Sequence, residues 1–185
     1  MMASGIIIGD PPRVAQISPE GMVWVKSNAH DPRMTKLADR HYSRKTIGSN
    51  QMMPPGRRVV LTTDEGEAGW GVSWPYAHLV AHAWPEAWCC TFFRNESPYL
   101  SSDLVNQAVA VTRFFWPDVP DEGIITFINP KKVRHKRDQG RCYRKAGWHE
   151  AGYTKGGHLV LRQYRDEMPP PAPPRRWAQQ SPMEL

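Results

Sequence analysis

The hydrophobic positions of this chain recur with two different periods, and the switches between them lay out an alternation of strands and helices. Met22 to Lys26 is a short strand-like run. Asp31 follows as a helix N-cap with Pro32 at the first helical position, where a missing N–H costs nothing, and Met34, Leu37, Ala38 and His41 then recur at helical spacing. The apolar stripe therefore ends on a histidine. Gly48 to Gly56 has no period and carries Pro54 and Pro55, and loops of that size in a compact domain often serve a site. Arg58 to Thr63 and Ala68 to Trp74 read as a hairpin turning at Asp64 to Glu67, with Trp88 to Phe93 as the next strand.

Arg94 to Pro98 breaks that strand. Ser101 or Ser102 can cap the longest predicted helix, whose Leu104, Val105, Ala108, Val109, Thr112, Phe115 and Trp116 form one wide apolar face. Pro117 and Pro120 end it, Gly123 to Ile128 is again a strand, and Asn129-Pro130 stops that strand. A short helix from Arg141 then runs into Gly147. A helix that turns straight into a strand usually ends on a left-handed residue, which glycine adopts cheaply. Trp148 to Tyr153 and His158 to Gln163 complete the series through a Lys155-Gly156-Gly157 turn. The order predicts an α/β domain over residues 21–165, with a mixed, mostly antiparallel central sheet flanked by helices. Residues 1–20 read as a loose leader. The proline run from Met168 to Arg176 makes residues 166–185 an extended or disordered tail.

Composition narrows the class. A hydrophobic content of 40% with eight tryptophans excludes a disordered chain over most of its 185 residues. Cys89, Cys90 and Cys142 cannot all pair and form no Cys-x-x-Cys arrangement, which favours a reducing cytoplasm over a disulfide framework or a zinc ribbon. Ile6-Ile7-Ile8 is too short for a membrane span, so a soluble protein with no membrane partner is expected. The net charge is +6, and its distribution matters more than its sum. Between Lys131 and Lys145 stand Lys131, Lys132, Arg134, Lys136, Arg137, Arg141, Arg144 and Lys145 against Asp138 alone. A polyanionic ligand near this segment is the reading that follows.

The strand, basic loop, Cys142-Tyr143-Arg144-Lys145-Ala146-Gly147-Trp148 helix and following strand resemble the C-terminal half of the GNAT acyltransferase fold. The resemblance implies that Tyr143 faces a reactive group and can protonate what departs. The GNAT family holds the coenzyme A pyrophosphate on a glycine-rich turn before its long helix, using backbone amides at a helix N-terminus. Here that turn is Arg94-Asn95-Glu96-Ser97-Pro98-Tyr99-Leu100-Ser101, with no glycine and one acid. Acetyl-CoA is thus a candidate donor without a recognisable pyrophosphate loop.

Several separated motifs sharpen the likeness. Ala38-Asp39-Arg40-His41-Tyr42-Ser43, Met53-Pro54-Pro55-Gly56-Arg57, Phe93-Arg94-Asn95-Glu96, Ile125 to Val133 and Cys142 to Trp148 together resemble the phage Mom family of DNA-modification proteins. The match covers about residues 35–163. It implies a divergent GNAT-like enzyme that places a carbamoylmethyl group on adenine N6 in double-stranded DNA and protects phage or prophage DNA from restriction. By the same resemblance His41, Tyr42, Arg94 and Tyr143 are the catalytic residues: His41 as general base or metal ligand, Arg94 as anion or carbonyl stabiliser, Tyr143 as acid. The adenine amine is a poor nucleophile because its lone pair is delocalised, which is why both a base and a stabilised acceptor are needed. Iron enters as a candidate metal through the resemblance alone.

Arg44, Lys45, Glu96, Asn129, Lys131, Lys132, Arg134, Lys136 and Arg137 are the expected substrate and DNA contacts. A base inside a duplex must be extruded to reach a deep site, and Trp70, Trp74 and Trp84 are candidates to stack it. His78, His82 and the cysteines read as structural. Two other readings stand beside the DNA transferase: an N-acyltransferase acting on another amine, and a non-catalytic DNA-binding protein on the same scaffold.

Overall fold

The computed structural model describes residues 21–49, 51–133 and 138–177. The proposed leader, Arg134, Lys136, Arg137 and the last eight residues of the expected tail lie outside the described residues. Among the described residues one seven-stranded sheet is formed by β1 (Val25–Ser27), β2 (Gly56–Thr62), β3 (Ala68–Pro75), β4 (Trp88–Asn95), β5 (Ile124–Ile128), β6 (His149–Tyr153) and β7 (Leu159–Gln163). Its order is β1-β2-β3-β4-β5-β7-β6. Every neighbouring pair is antiparallel except β4 with β5, which is parallel. The mixed, mostly antiparallel α/β architecture is therefore as expected.

Among the described residues three α-helices accompany the sheet: α1 (Pro32–Asp39), α2 (Ser101–Phe115) and α3 (Arg141–Lys145). At the start of α1 the Asp31 carboxylate accepts the Arg33 amide at 2.9 Å, so the cap and the proline act as the sequence requires. The capping expectation for α2 does not hold. Its cap position is Leu100, without a side-chain cap, because the Ser101 hydroxyl accepts from Asn95 Nδ2 at 2.9 Å and is engaged with the preceding turn. The apolar face of α2 buries Leu104, Val105, Ala108 and Val109 against Trp24, Trp70, Trp88 and Leu61 of the sheet side, and the Trp24 indole donates to the Leu104 carbonyl at 2.9 Å. On the other face Met34, Leu37 and Ala38 of α1 pack with Met53, Val60 and Phe92.

The C-terminal segment corrects one expectation. It is extended, as its prolines dictate, but through Trp177 it is a strap and not a free tail. Met168 is buried in the main core, Ala172 N–H donates to Ala110 O, Arg175 N–H to Trp24 O, and Lys26 N–H to Arg176 O. Arg176 thereby pairs in parallel with Val25 and covers the β1 edge, while Arg175 and Arg176 both reach Asp64. Proline's missing N–H matters little where the intervening residues supply the donors.

Two features of the sheet create a cleft. Strands β4 and β5 pair only at Trp88–Ile124, Cys89–Ile125 and Cys90–Thr126, after which both continue without each other. They splay at their C-terminal ends. In the same place the β3–β4 register slips: Val72 faces Cys90 and Gly71 faces Phe92, leaving Thr91 as the extra residue of a bulge. The Thr126 hydroxyl donates to the Cys90 carbonyl at 3.0 Å and satisfies a buried acceptor where the ladder ends.

Candidate active site

The cleft between the splayed ends of β4 and β5 holds a cavity of about 370 Å³. His41, Tyr42, Arg94 and Tyr143 all line it, although the chain separates the first from the last by a hundred positions. Parallel strands gather their carboxyl ends at one edge of a sheet, which is where crevices form in α/β folds. Each of the four is delivered by a different local device.

Tyr143 is set by α3. Gly140 before it has φ +76°, a left-handed conformation that favours glycine, and a Cβ there would also push aside the methyl ends of Leu161 and Ile128. After it, Gly147 has φ +85°, Trp148 N–H donates to Tyr143 O and Gly147 N–H to Arg144 O, the double closure of a Schellman ending. The phenol is 8% exposed and lies among Phe93 and Trp148, with its oxygen 3.6 Å from Cys90 Sγ. Burial pushes its pKa well above the ordinary phenol value, with the Cys90 and Cys142 thiols nearby adding to the shift. It is a protonated hydroxyl at neutral pH.

His41 follows the end of α1, where its N–H donates to Ala38 O. Its ring lies 4.5 Å from Tyr42 and 5.3 Å from Phe92 by centroids. Nδ1 meets Ser43 Oγ at 2.7 Å and also receives the Ser43 N–H at 3.3 Å. A proton on Nδ1 directed to Ser43 Oγ leaves Nε2 as the basic atom, and the longer amide contact favours the opposite tautomer. Tyr42 sits at the rim, 36% exposed, and its carbonyl accepts from Lys132 Nζ at 2.9 Å. Burial raises its phenol pKa as well.

Arg94 closes one side. Its Nη1 donates to Arg40 O and its Nε to Glu96, both at 2.5 Å. Glu96 also accepts two bonds from Arg40 at 2.8 and 2.6 Å, and these cations hold its carboxyl at a pKa of about 2, the Arg40 bonds contributing most. Glu96 thus joins the end of β4 to the end of α1 and orients Arg94. The substrate contact expected for it would be made by a carboxylate already paired with two arginines.

The expected DNA contacts divide. Arg44 is largely buried, pairs with Asp39 at 2.8 Å and reaches Ser49 O, so it braces the loop after α1 and is not a surface cation. Asn129 Oδ1 accepts from the Lys131 and Lys132 amides at 3.1 and 3.4 Å and shapes the turn after β5. Lys45 and Lys131 are exposed, and Lys132 is exposed while bound to Tyr42. Lys45 lines a second cavity, about 390 Å³, which shares His41, Thr91 and Phe92 with the first.

None of the tryptophans proposed for stacking reaches either cavity. Trp70 is core, Trp74 packs on Trp88 and Trp116, and Trp84 lies beside His82, which rests on Phe127. The aromatic surface of the cleft comes from Tyr42, Phe92, Phe93, Phe127 and Tyr143. The sequence reading also missed Cys90, Cys142 and Thr126 as cleft residues. The signal for them was topological: once two consecutive strands around a helix are parallel, their last residues share a crevice. Burial raises the Cys90 thiol far above its usual pKa, so it is a neutral wall and not a thiolate nucleophile.

The donor atoms around His41 do not make a metal site: among the described residues no three His, Cys, Asp or Glu side chains converge. The turn between β4 and α2 has no glycine, and its first amides are engaged by the protein. Glu96 N–H goes to Glu67 O at 2.8 Å, Ser97 N–H to Asn95 Oδ1 at 2.9 Å, Tyr99 N–H to Ser97 Oγ at 3.3 Å, and Pro98 has none. Positions 96–99 therefore offer no amide to an anion, and the next amides along the chain are those of Leu100, Ser101 and Ser102 at the start of α2. Among the described residues, no helix is long and apolar enough to cross a membrane. In comparisons with known proteins, no family model, curated protein or solved structure matches this chain.

Proposed function

We propose that this protein is a GNAT-like transferase that modifies DNA, placing a carbamoylmethyl group on adenine N6 and thereby shielding phage or prophage DNA from restriction in the host cytoplasm. The observation that carries the reading is the convergence of His41, Tyr42, Arg94 and Tyr143 on one cavity. The His41-Tyr42 pair, Arg94 and Tyr143 come from three separate motifs, and nothing in the spacing of the three requires them to meet.

Their environments suit the chemistry of a weak amine nucleophile. In the tautomer whose Nδ1–H donates to Ser43 Oγ, His41 takes the proton lost from N6 on Nε2 as the new N–C bond forms. Arg94, held by Glu96 and the Arg40 carbonyl, offers a fixed positive charge to a developing anion. Tyr143 stays protonated and gives its proton to the group that leaves the donor carbon as the N6–C bond forms. Phe92 and Phe93 supply apolar and aromatic surface for an extruded base. The donor is not assigned: among the described residues no group of metal ligands forms and the β4–α2 turn has no glycine-rich cradle, and no step is routed through iron or coenzyme A.

The test is mass spectrometry of nucleosides from plasmid DNA grown with and without the protein. Carbamoylmethyl-deoxyadenosine that disappears with Tyr143→Phe supports the reading. Unmodified deoxyadenosine in cells that accumulate folded protein and carry out this modification with a known enzyme overturns it.

A further inference from the structure

Beside the cleft, the β4–α2 turn presents two apolar side chains to solvent: Tyr99 is 44% and Leu100 65% exposed. A single exposed leucine is ordinary on a protein surface. Three observations set this one apart. The turn that carries it is fastened from within: Asn95 Nδ2 donates to Tyr99 O at 2.8 Å and to Ser101 Oγ at 2.9 Å, Asn95 Oδ1 accepts from Ser97, and the Leu104 amide donates to Leu100 O at 3.1 Å. The tip is held rigidly while its side chains are left uncovered. Leu100 also borders a concavity of about 490 Å³ that shares Ser101, Gly140 and Cys142 with the main cavity, so the tip stands at the entrance to the cleft. The facing wall of that concavity is α3, with Arg141 and Lys145 as its cations and Asp138, 3.8 Å from Arg141, as its one acid.

Resting on the DNA reading above, we propose that Leu100, backed by Tyr99, is the wedge that enters the base stack when the target nucleotide is extruded, while Arg141 and Lys145 hold the neighbouring phosphates. The occupant of this surface is duplex DNA. An extruded base leaves a gap between apolar base faces, which a rigid aliphatic side chain fills, and duplex phosphates match the cations placed one side chain away. A flexible tip would lose conformational entropy on insertion, and the Asn95 network removes that cost beforehand.

Fluorescence anisotropy with two labelled duplexes, one intact and one carrying a single abasic site, tests the assignment without donor or chemistry. The wild-type protein is expected to bind the abasic duplex roughly tenfold tighter, because the gap is already open. Leu100→Ala should bring the two affinities within about twofold, Leu100→Phe should retain the preference, and Arg141→Ala/Lys145→Ala should weaken both duplexes alike and lower the salt dependence. A preference that survives Leu100→Ala, its absence in the wild type, or its loss in Ile47→Ala in place of Leu100→Ala overturns the assignment. Adenine modification that is unaffected by Leu100→Ala removes the wedge and leaves the proposed reaction. A Leu100-dependent preference without modified adenine removes the reaction and leaves the wedge.

Discussion

The phenol oxygen of Tyr143 and the thiol of Cys90 meet at 3.6 Å in the floor of the cleft, at the point where β4 and β5 part. A sulfur contact of that length is weak, and the rest of the ring is held by Phe93 and Trp148. Removing the hydroxyl should therefore cost little stability while eliminating the acid. Tyr143→Phe is expected to melt within a few degrees of wild type and to lower modification by about 10²- to 10⁴-fold. Calorimetry and nucleoside mass spectrometry check the two halves. Equal activity would place the acid elsewhere.

Glu96 connects two elements of the cleft, and its charge state should control that connection. Its carboxyl is held at about 2 against an ordinary 4.5, so the stability it contributes is complete above about pH 4.5 and is lost as pH falls through about 2. Asp31, held at about 2 by its bonds to Arg33 and Ser27, follows the same sign. Glu96→Gln should flatten the fall of melting temperature between pH 4.5 and 2 and should lower activity at neutral pH by loosening Arg94. An unchanged acid profile would show that the Arg40–Glu96–Arg94 contacts contribute nothing to stability.

Where His41 Nδ1 donates to the Ser43 hydroxyl, Nε2 is the basic nitrogen. Ser43→Ala leaves the Ser43 amide as the contact to Nδ1 and favours the tautomer with the proton on Nε2. Activity should drop by about tenfold or more, with the pH–activity profile shifted and the melting temperature nearly constant. A full-activity Ser43→Ala protein would remove Nε2 as the general base.

The proline strap should behave as part of the core. Met168 is 4% exposed, and Arg113 Nη1 donates to Pro169 O at 2.7 Å. Met168→Ala is expected to destabilise the protein by about 2–5 kcal/mol, measured by urea unfolding. A loss below about 0.5 kcal/mol would mean that the strap lies on the surface without supporting it.

Local sequence by itself determined most of the elements. Asp31-Pro32 started α1, Gly147 ended α3, and the period along Leu104 to Thr112 placed the buried face of α2, because caps, left-handed glycines and amphipathic stripes act over a few residues. Motif reading also selected the four residues that share the cavity. What the tertiary structure alone decided was which side chains are left available. Arg44 and Glu96 read as binding residues until Asp39 and Arg40 were brought beside them. Trp70 and Trp74 read as stacking residues until α2 covered that face of the sheet. Cys90 and Thr126 acquired a place in the site only from the splay of two parallel strands, and the prolines became a strap only because β1 and α2 had groups to bind them. Burial, pairing and strand register are relations between distant residues, and a local pattern carries no record of them.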